Sequence, residues 1–202
     1  PYAFMFAFAL SACAVEEPEP YDIVEKSAAE ISADLRGGRT TSETITTAYI
    51  KRIEAVNPQI HAVISINPNA LEDARSSDSR RAQGQSLGAL DGIPVLVKDN
   101  IDVAGLVTTG GTNALRHNIV KRTAPVAQRL LDAGAIVFGK SNLHELAFGC
   151  TSNNASFGAV RNPYDPDRIA GGSSGGAAAA VGARLAPAGI GSDTGGSVRI
   201  PA

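Results

Sequence analysis

The C-terminal part of the chain reads Gly171-Gly172-Ser173-Ser174-Gly175-Gly176, and then Gly191-Ser192-Asp193-Thr194-Gly195-Gly196-Ser197. Both stretches enclose serines between glycines. Glycine, which has no Cβ, lets the backbone approach a ligand closely, and a serine hydroxyl becomes a nucleophile when a base takes its proton. The first stretch runs into the alanine-rich residues 177–185, which predict a buried helix. A glycine turn that opens a helix directs free N–H groups at a ligand, so we expect reactive loops here.

A lysine upstream supplies a candidate base. Lys98 ends the apolar run Ile93-Pro94-Val95-Leu96-Val97, and burial at the end of a strand favours the neutral amine. Asp99 is expected to face away from that amine, because neighbouring strand residues point to opposite sides. Asp193 and Arg199 are expected to pair with each other and brace the second serine loop. With no histidine near either serine stretch, the pattern predicts serine-based acyl transfer that uses lysine.

Three other motif interpretations need to be weighed, two at the first serine stretch and one at residues 134–141. By composition Gly171–Gly176 is also typical of a flexible linker. Gly171–Gly175 fits the G-x-S-x-G nucleophile elbow, but a proline-punctuated loop precedes it where that motif needs a strand. Residues 134–141 fit the phosphate-loop pattern GxxxxGK[ST], yet residues 135–138 are apolar and β-prone. We therefore predict a buried strand that ends at Gly139 and no nucleotide site.

The periodicity of the remaining chain predicts alternating helices and strands. Helices are expected over 22–35 (closed by Gly37-Gly38), from an N-cap at Ser42 to a stop at Asn57-Pro58, and over 68–82 and 125–133. Strands are expected over 61–66, 93–98 and 135–138. This alternation favours an α/β fold with a sheet covered by helices on both faces. The chain shows no internal repeat and no domain boundary after Pro20.

The first twenty residues have a composition of their own. Residues 1–10 are apolar but too short to span a bilayer, which is typical of the remaining hydrophobic region of a signal peptide. Leu10-Ser11-Ala12-Cys13 resembles the lipobox of bacterial lipoproteins, so residues 1–13 are predicted to be a signal-peptide remnant with Cys13 as the lipidation site. Residues 14–20 form an acidic, proline-rich tether. The lipoprotein interpretation has two alternatives: the reading frame starts at the wrong place, or Cys13 is merely a small hydrophobic residue.

Composition excludes several classes of protein. A net charge of −2 with 19% charged residues provides no basic field for nucleic acid. Three histidines and two cysteines show no metal-ligand spacing, so neither a metal nor a cofactor is expected. His144 is expected on a helix surface and Cys150 in the core. Because the sequence opens on Pro1 and ends soon after Ser197, we expect it to be a fragment.

The quoted motifs resemble the amidase signature family of serine hydrolases. The resemblance rests on GGSSGG, on GSDTGGSVRIPA and on Lys98 within GIPVLVKDN, and it extends from Tyr21 to Ala202. It implies one α/β domain with a large mixed β-sheet covered by helices on both faces, of which residues 21–202 are the N-terminal part. It also implies a complete chain more than twice as long as this one.

The family's site residues transfer position by position. The resemblance implies Ser197 as nucleophile, Ser173 as the bridging serine after a cis peptide bond, and Lys98 as base. It implies an oxyanion site and a substrate-binding site formed by the remaining loop residues, with N–H groups from Thr194, Gly195, Gly196 and Ser197 and with Ala147 beside the substrate. Supporting roles fall to Ser174, Asp193 and Arg199.

Three functions are considered, the first two implied by this resemblance and the third from a different class of protein. The first is hydrolysis of a small aryl or alkyl carboxamide to carboxylate and ammonia, because residues 144–149 and 151–154 look most like the indoleacetamide and mandelamide hydrolase branch. The second is that of the glutamyl-tRNA(Gln) amidotransferase A subunit, which usually has glutamine where this chain has Ile200 and which an exported protein would not serve. The third is a non-catalytic binding lipoprotein.

The expected partners and location follow from the same features. We expect a small-molecule amide substrate, no nucleic acid, and membrane contact only through lipid at Cys13, with a homodimer as one option for assembly. We expect an exported bacterial protein, either anchored by its lipid or periplasmic.

Overall fold

The structure, a computed structural model, describes residues 21–202. The signal-peptide remnant, the lipobox with Cys13 and the tether all lie outside the described residues. No helix within residues 21–202 is both long enough and apolar enough to cross a membrane.

Four strands form one mixed sheet in the order β1-β3-β2-β4. Strand β1 runs antiparallel to β3, whereas β2 is parallel to both β3 and β4. Every residue of β2 and β3 is buried, as expected for apolar strands at the centre of a sheet. The strands are β1 (Val63–Ile66), β2 (Pro94–Lys98), β3 (Ile136–Ser141) and β4 (Gly189–Ile190).

Five α-helices accompany this sheet, and several begin or end away from the predicted positions. They are α1 (Ala28–Arg36), α2 (Ser42–Ile60), α3 (Ala70–Ala82), α4 (Pro125–Asp132) and α5 (Gly175–Gly182). Helix α1 starts later than predicted because Ser27 caps it in a capping box with Glu30. Thr41, rather than Ser42, caps α2. The prediction that α2 stops at Asn57-Pro58 was wrong, since the helix continues until His61 takes up a left-handed conformation.

The helices pack on both faces of the sheet, which confirms the predicted α/β fold. Leu96, Ile136 and Phe138 belong to a large core that includes residues of α1, α2, α3 and α5. Val97 and Val137, the strand neighbours of these residues, belong to a second core with Ala127 of α4. Alternation along the strands therefore separates the two cores.

The phosphate-loop-like segment is the buried strand β3, as predicted, although it continues past Gly139 to Ser141. Its C-terminal end meets the start of α5 closely. A Cβ on Gly176 would lie 2.1 Å from the carbonyl oxygen of Asn142, so only glycine permits this approach. The first turn of α5 is therefore held against the ends of the central strands.

Candidate active site

Lys98 and Ser173 meet at the end of β2. Lys98 shares the sheet face of Leu96, toward α5, and its side chain is fully buried. Its Nζ lies 2.7 Å from the Oγ of Ser173, the buried residue that precedes the cap of α5. The structure thus brings together two of the three predicted catalytic residues.

Ser192 completes the surroundings of the lysine amine. Lys98 Nζ lies 3.0 Å from Ser192 Oγ and 3.3 Å from the Ser192 carbonyl oxygen. The side-chain amide of Asn100 donates to the same Ser192 hydroxyl at 2.9 Å. We did not assign a role to Ser192 or Asn100 from the sequence. The signal in the sequence was their place within the two motifs, Ser192 next to Asp193 and Asn100 two residues after Lys98.

Burial lowers the pKa of Lys98 to about 8, and the charge of Asp193 opposes this shift. Hydroxyls and a carbonyl are the groups in contact with the amine. They solvate a cation less well than bulk water does. With this pKa, about a tenth of the amine is neutral at pH 7, far more than for an ordinary lysine, which is the direction expected from the sequence.

Asp99 faces the other side of the sheet, as predicted. One of its oxygens accepts hydrogen bonds from the backbone N–H and the hydroxyl of Thr109. The other oxygen lies 2.7 Å from Lys140 Nζ and forms an ion pair with it, although the angle does not fit a hydrogen bond. Lys140 also donates to the carbonyl of Val107 and the hydroxyl of Thr108. Lys140 was missed as a partner of Asp99 because the sequence does not reveal the register of β2 against β3.

Ser174 joins the two serine loops. Its N–H donates to the carbonyl of Ser197 at 2.9 Å. Its hydroxyl accepts from the N–H of Ser192 at 3.3 Å and donates to the Ser192 carbonyl at 3.2 Å. Ser197 is half-buried at the start of a turn. Among the described residues, its hydroxyl forms no hydrogen bond with Ser173, so Ser197 reaches the site through the backbone contact with Ser174.

Asp193 braces the second loop. Its carboxylate forms an ion pair with Arg199 at 3.0 Å, which confirms the predicted pairing. It also accepts from the backbone N–H groups of Gly196 at 2.7 Å and Val198 at 3.0 Å. The hydrogen bond from Arg199, followed by these backbone bonds, lowers the pKa of Asp193 far below its ordinary value.

This bracing corrects the predicted oxyanion site. The N–H of Gly196 points at the Asp193 carboxylate and is not free to hold an oxyanion in this conformation. Within the described residues, the N–H groups of Thr194, Gly195 and Ser197 have no acceptor. The donors that remain from the prediction are therefore these three.

The peptide bond between Gly172 and Ser173 is cis, as the family resemblance implied. A Cβ on Gly172 would lie 2.6 Å from the backbone nitrogen of Ser152, so this position accepts only glycine. The carbonyl of Ser173 accepts from the N–H of His144 at 3.1 Å. These contacts fix the backbone on both sides of the buried serine.

His144 and Cys150 do not lie where the sequence predicted. His144 does not lie on an α-helix; it precedes a single 3-10 turn, Glu145–Ala147, and its half-buried ring packs on Gly149. Cys150 is exposed, because it lies in the surface loop that follows this turn, so the core prediction was wrong. Ala147 is half-buried and adopts a positive φ.

Two cavities border these elements. The larger, of about 340 Å³, lies on the Asp99 face and is lined mainly by apolar residues, among them Ile64, Leu106 and Phe157. The smaller, of about 150 Å³, touches Ser174, Gly191 and Val198 beside the serine loops. Ser174, the neighbour of Ser173, lines the second cavity, whereas Lys98, Ser173 and Ser197 line neither of the two. Residues 21–202 contain no group of three or more His, Cys, Asp or Glu placed to hold a metal ion.

The family model described as Amidase matches residues 44–202. The chain belongs to the amidase signature family. Among curated amidase-family relatives, the glutamyl-tRNA(Gln) amidotransferase A subunit of Acidothermus cellulolyticus is 43% identical over 182 residues, and that of Alkalilimnicola ehrlichii is 45% identical over 179. These matches cover 90% and 88% of this chain but only 36% and 37% of the relatives.

Solved amidase structures agree with this fold. The peptide amidase of Stenotrophomonas maltophilia is 40% identical, with a TM-score of 0.84 over 88% of this chain and 38% of its own. A 6-aminohexanoate cyclic dimer hydrolase is 34% identical, with a TM-score of 0.76 over 87% of this chain and 36% of its own. The chain therefore spans little more than a third of the length of these amidases.

Proposed function

We propose that the complete protein is an amidase that hydrolyses a small carboxamide to a carboxylate and ammonia through a serine acyl-enzyme. The observation that carries this proposal is the 2.7 Å contact between Ser173 Oγ and the fully buried Lys98, whose pKa burial lowers to about 8. A neutral lysine amine within hydrogen-bond distance of a hydroxyl is able to act as its general base.

Protons pass along the two serines in the proposed reaction. Lys98 accepts the proton of Ser173, Ser173 accepts the proton of Ser197, and Ser197 Oγ attacks the amide carbonyl carbon. The tetrahedral intermediate then expels the nitrogen, which leaves as ammonia with the proton returned from Lys98 through Ser173. Water attacks the acyl-enzyme by the same relay and releases the carboxylate. The step requires the hydroxyls of Ser197 and Ser173 to come within hydrogen-bond distance in the substrate complex.

The developing oxyanion would be held by backbone N–H groups of the second loop. Thr194, Gly195 and Ser197 keep theirs free of acceptors in the described chain. Loss of one such donor typically raises a barrier by about 3–4 kcal/mol. The ion pair of Asp193 with Arg199 supports the proposal, because it holds the turn that presents these N–H groups.

For the substrate we propose an aryl or alkyl carboxamide, in line with the indoleacetamide and mandelamide hydrolase branch. The support is the segment 144–149, which the Ser173 carbonyl anchors through His144. It presents Leu146, 63% exposed, and Phe148, 90% exposed. Such side chains favour an apolar substituent over a charged one. The name of the Stenotrophomonas maltophilia neighbour, a peptide amidase, supports a carboxamide as the reacting group.

The glutamyl-tRNA(Gln) amidotransferase A subunit is the second candidate. The curated relatives favour it, since those compared carry that name at 41–46% identity. Ile200 stands against it, because that branch usually has glutamine at this position. Ammonia release from aryl and alkyl carboxamides, measured beside release from free glutamine, separates the two. Turnover of glutamine alone would favour the amidotransferase.

The location is also a proposal. We propose that Cys13 carries lipid and that the protein is exported, on the strength of the Leu10–Cys13 lipobox. Labelled palmitate should then enter the wild-type protein, and Cys13→Ser should move the protein to the soluble fraction. An unlabelled wild-type protein in the cytosol would contradict export and would add weight to the tRNA-linked candidate.

Ser197→Ala in the complete protein tests the proposed chemistry. We expect it to abolish both ammonia release and labelling by a fluorophosphonate probe, because Ser197 Oγ forms the acyl bond. Ser174→Ala, which alters the neighbouring hydroxyl, should keep the labelling. Labelling that survives in Ser197→Ala and disappears in Ser174→Ala would instead assign the nucleophile to the G-x-S-x-G motif. A complete protein that releases no ammonia and takes no label would favour the binding lipoprotein.

A further inference from the structure

The neighbours of Lys98 determine which way its lone pair points. A neutral lysine amine has two N–H groups and one lone pair. The Ser192 carbonyl, 3.3 Å from Nζ, can only accept and so takes one N–H. When the Ser192 hydroxyl oxygen, 3.0 Å away, accepts the second N–H, the lone pair is left for Ser173 Oγ at 2.7 Å. Both acceptors belong to one residue, so the direction of the lone pair depends on the position of Ser192.

Asn100 holds the Ser192 hydroxyl in that position. Its side-chain amide donates to Ser192 Oγ at 2.9 Å from the loop that directly follows β2. The serine side chain has several staggered rotamers, and only an oxygen directed at Lys98 can receive its N–H. The hydrogen bond from Asn100 favours this rotamer.

We propose that Asn100 is a positioning residue that, through Ser192, directs the lone pair of Lys98 at Ser173. The proposal rests on the proposed function, since it concerns the base of the same relay. It also explains the chemistry of the residue at position 100. An amide supplies the donor without adding a charge, whereas a carboxylate there would favour the protonated lysine.

The carboxylates near Lys98 are paired with other cations, so the groups in direct contact with its amine are uncharged. Asp193, which raises the pKa of Lys98, is paired with Arg199. Asp99 lies on the far side of β2 and is paired with Lys140. Each carboxylate near the amine therefore has a cation of its own, and the direct contacts of Nζ are with serine oxygens.

The test uses Asn100→Leu, Ser192→Ala and the double variant of the complete protein, with kcat measured across pH. We expect Asn100→Leu to lower the plateau of kcat about fivefold, the equivalent of one ordinary hydrogen bond. The acid limb of the profile, where kcat falls as Lys98 is protonated, should stay in place or move to lower pH. The reason is that the lysine cation loses the Ser192 hydroxyl oxygen as an acceptor. Because Asn100 acts through Ser192, the double variant should be no slower than Ser192→Ala alone. Additive losses in the double variant would overturn the proposal.

Asn100→Asp and a control variant sharpen the result. The aspartate should move the acid limb to higher pH by about half a unit, since it places a carboxylate near the amine. Asn118→Leu is the matched control, because Asn118 is also an exposed amide that donates to an acceptor, the carbonyl of Thr108. It should leave both plateau and limb unchanged. An Asn100→Leu limb that moves up toward that of an ordinary lysine would mean that water has entered the site, and would overturn the proposal.

A titration of Lys98 separates this proposal from the proposed function. The 15N resonance of Lys98 Nζ, assigned by its loss in Lys98→Arg, reports the pKa without any turnover. If the wild-type protein hydrolyses no amide, the proposed function fails, yet the Asn100→Asp variant should still raise this pKa. An unchanged Lys98 pKa in Asn100→Asp would overturn the proposal even in an active amidase.

Discussion

Lys98 and Lys140 are two buried lysines of the same sheet with different surroundings. They lie in adjacent strands, where Lys98 pairs with Ser141 and its neighbour Val97 pairs with Lys140. Their exposed fractions are 0% and 1%. Lys140 lies beside the Asp99 carboxylate, at 2.7 Å. Lys98 contacts Ser173 and Ser192.

The difference shows that strand alternation places a structural lysine on one face of the sheet and the candidate base on the other. A buried cation is costly unless a carboxylate compensates it, so Lys140 with Asp99 forms a structural ion pair between the strands. Lys98, which faces hydroxyls, has its pKa lowered to about 8 by burial. Asp99 directly follows Lys98 in the sequence, and its side chain therefore points to the opposite face, where it pairs with Lys140.

The strongest test of this comparison is the loss of activity in Lys98→Arg. Arginine keeps the positive charge but cannot give up its proton, so we expect kcat/KM to fall about ten-thousandfold or more. Lys98→Ala should fall as far. The measurement is ammonia release by the complete protein, with circular dichroism to show that each variant is folded. Near-wild-type activity in Lys98→Arg would rule Lys98 out as the base.

Lys140→Met should act on stability instead. It leaves Asp99 buried without its cation, and breaking a buried pair in this way typically costs about 3–5 kcal/mol of unfolding free energy. Urea denaturation at pH 7 measures this loss. Lys140→Met combined with Asp99→Asn should recover part of it, because the uncompensated charge is then gone. A single variant as stable as the wild type would contradict the structural role of the pair.

The pH dependence of the rate provides a test of intermediate size. Because the Lys98 pKa is about 8, the neutral base is lost below that pH. We expect kcat/KM to fall about tenfold for each pH unit below 8 and to level off above it. A flat profile between pH 6 and pH 9 would show that another group accepts the proton.

Lys98→Met should make the protein more stable, the opposite of Lys140→Met. Removal of a buried cation that has no carboxylate in contact is expected to add about 1–2 kcal/mol at pH 7. The folded pKa of about 8 lies below the unfolded value of about 10.4. Wild-type stability should therefore rise as pH increases through this window, and the advantage of the variant should shrink over it. Equal stability of variant and wild type at pH 7 would mean that Lys98 is not strained by burial.

Arg199→Gln should have the smallest effect. Arg199 offsets the charge of Asp193, and that charge raises the pKa of Lys98. Without the arginine, the acid limb of the rate profile should move up by a few tenths of a pH unit, because the exposed pair is screened by solvent. Arg199→Lys, which keeps the charge, should shift the limb less than Arg199→Gln does. A limb that moves down would contradict the sign of this coupling.

The sequence predicted the parts of the site that depend on motifs and on strand alternation. The apolar run before Lys98 and the glycines around Ser173 predicted a buried base beside a serine, and the structure joins the two at 2.7 Å. Alternation also predicted that Asp99 faces away. The α/β fold was predicted correctly because apolar and amphipathic segments alternate clearly along the chain.

The sequence did not predict features that depend on contacts between distant segments. The partner of Asp99 depends on the register of β2 against β3, which no local pattern reveals. The prediction for Cys150 was wrong because a small residue between glycine and threonine is equally compatible with a core and with a surface loop. The N–H of Gly196 was assigned to an oxyanion, since glycine spacing does not show that Asp193 folds back to accept it.

Ser174 has a consequence for how the chain tolerates change. Its three hydrogen bonds connect the first loop to Ser192 and Ser197, and the bond from its N–H to the Ser197 carbonyl does not depend on the side chain. The link between α5 and β4 also holds the loops in place, because Leu185 and Ala186 are buried in the core and Arg184 pairs with Glu25. An insertion in this link should therefore disturb the site more than Ser174→Ala does, because that variant keeps the backbone bond to Ser197.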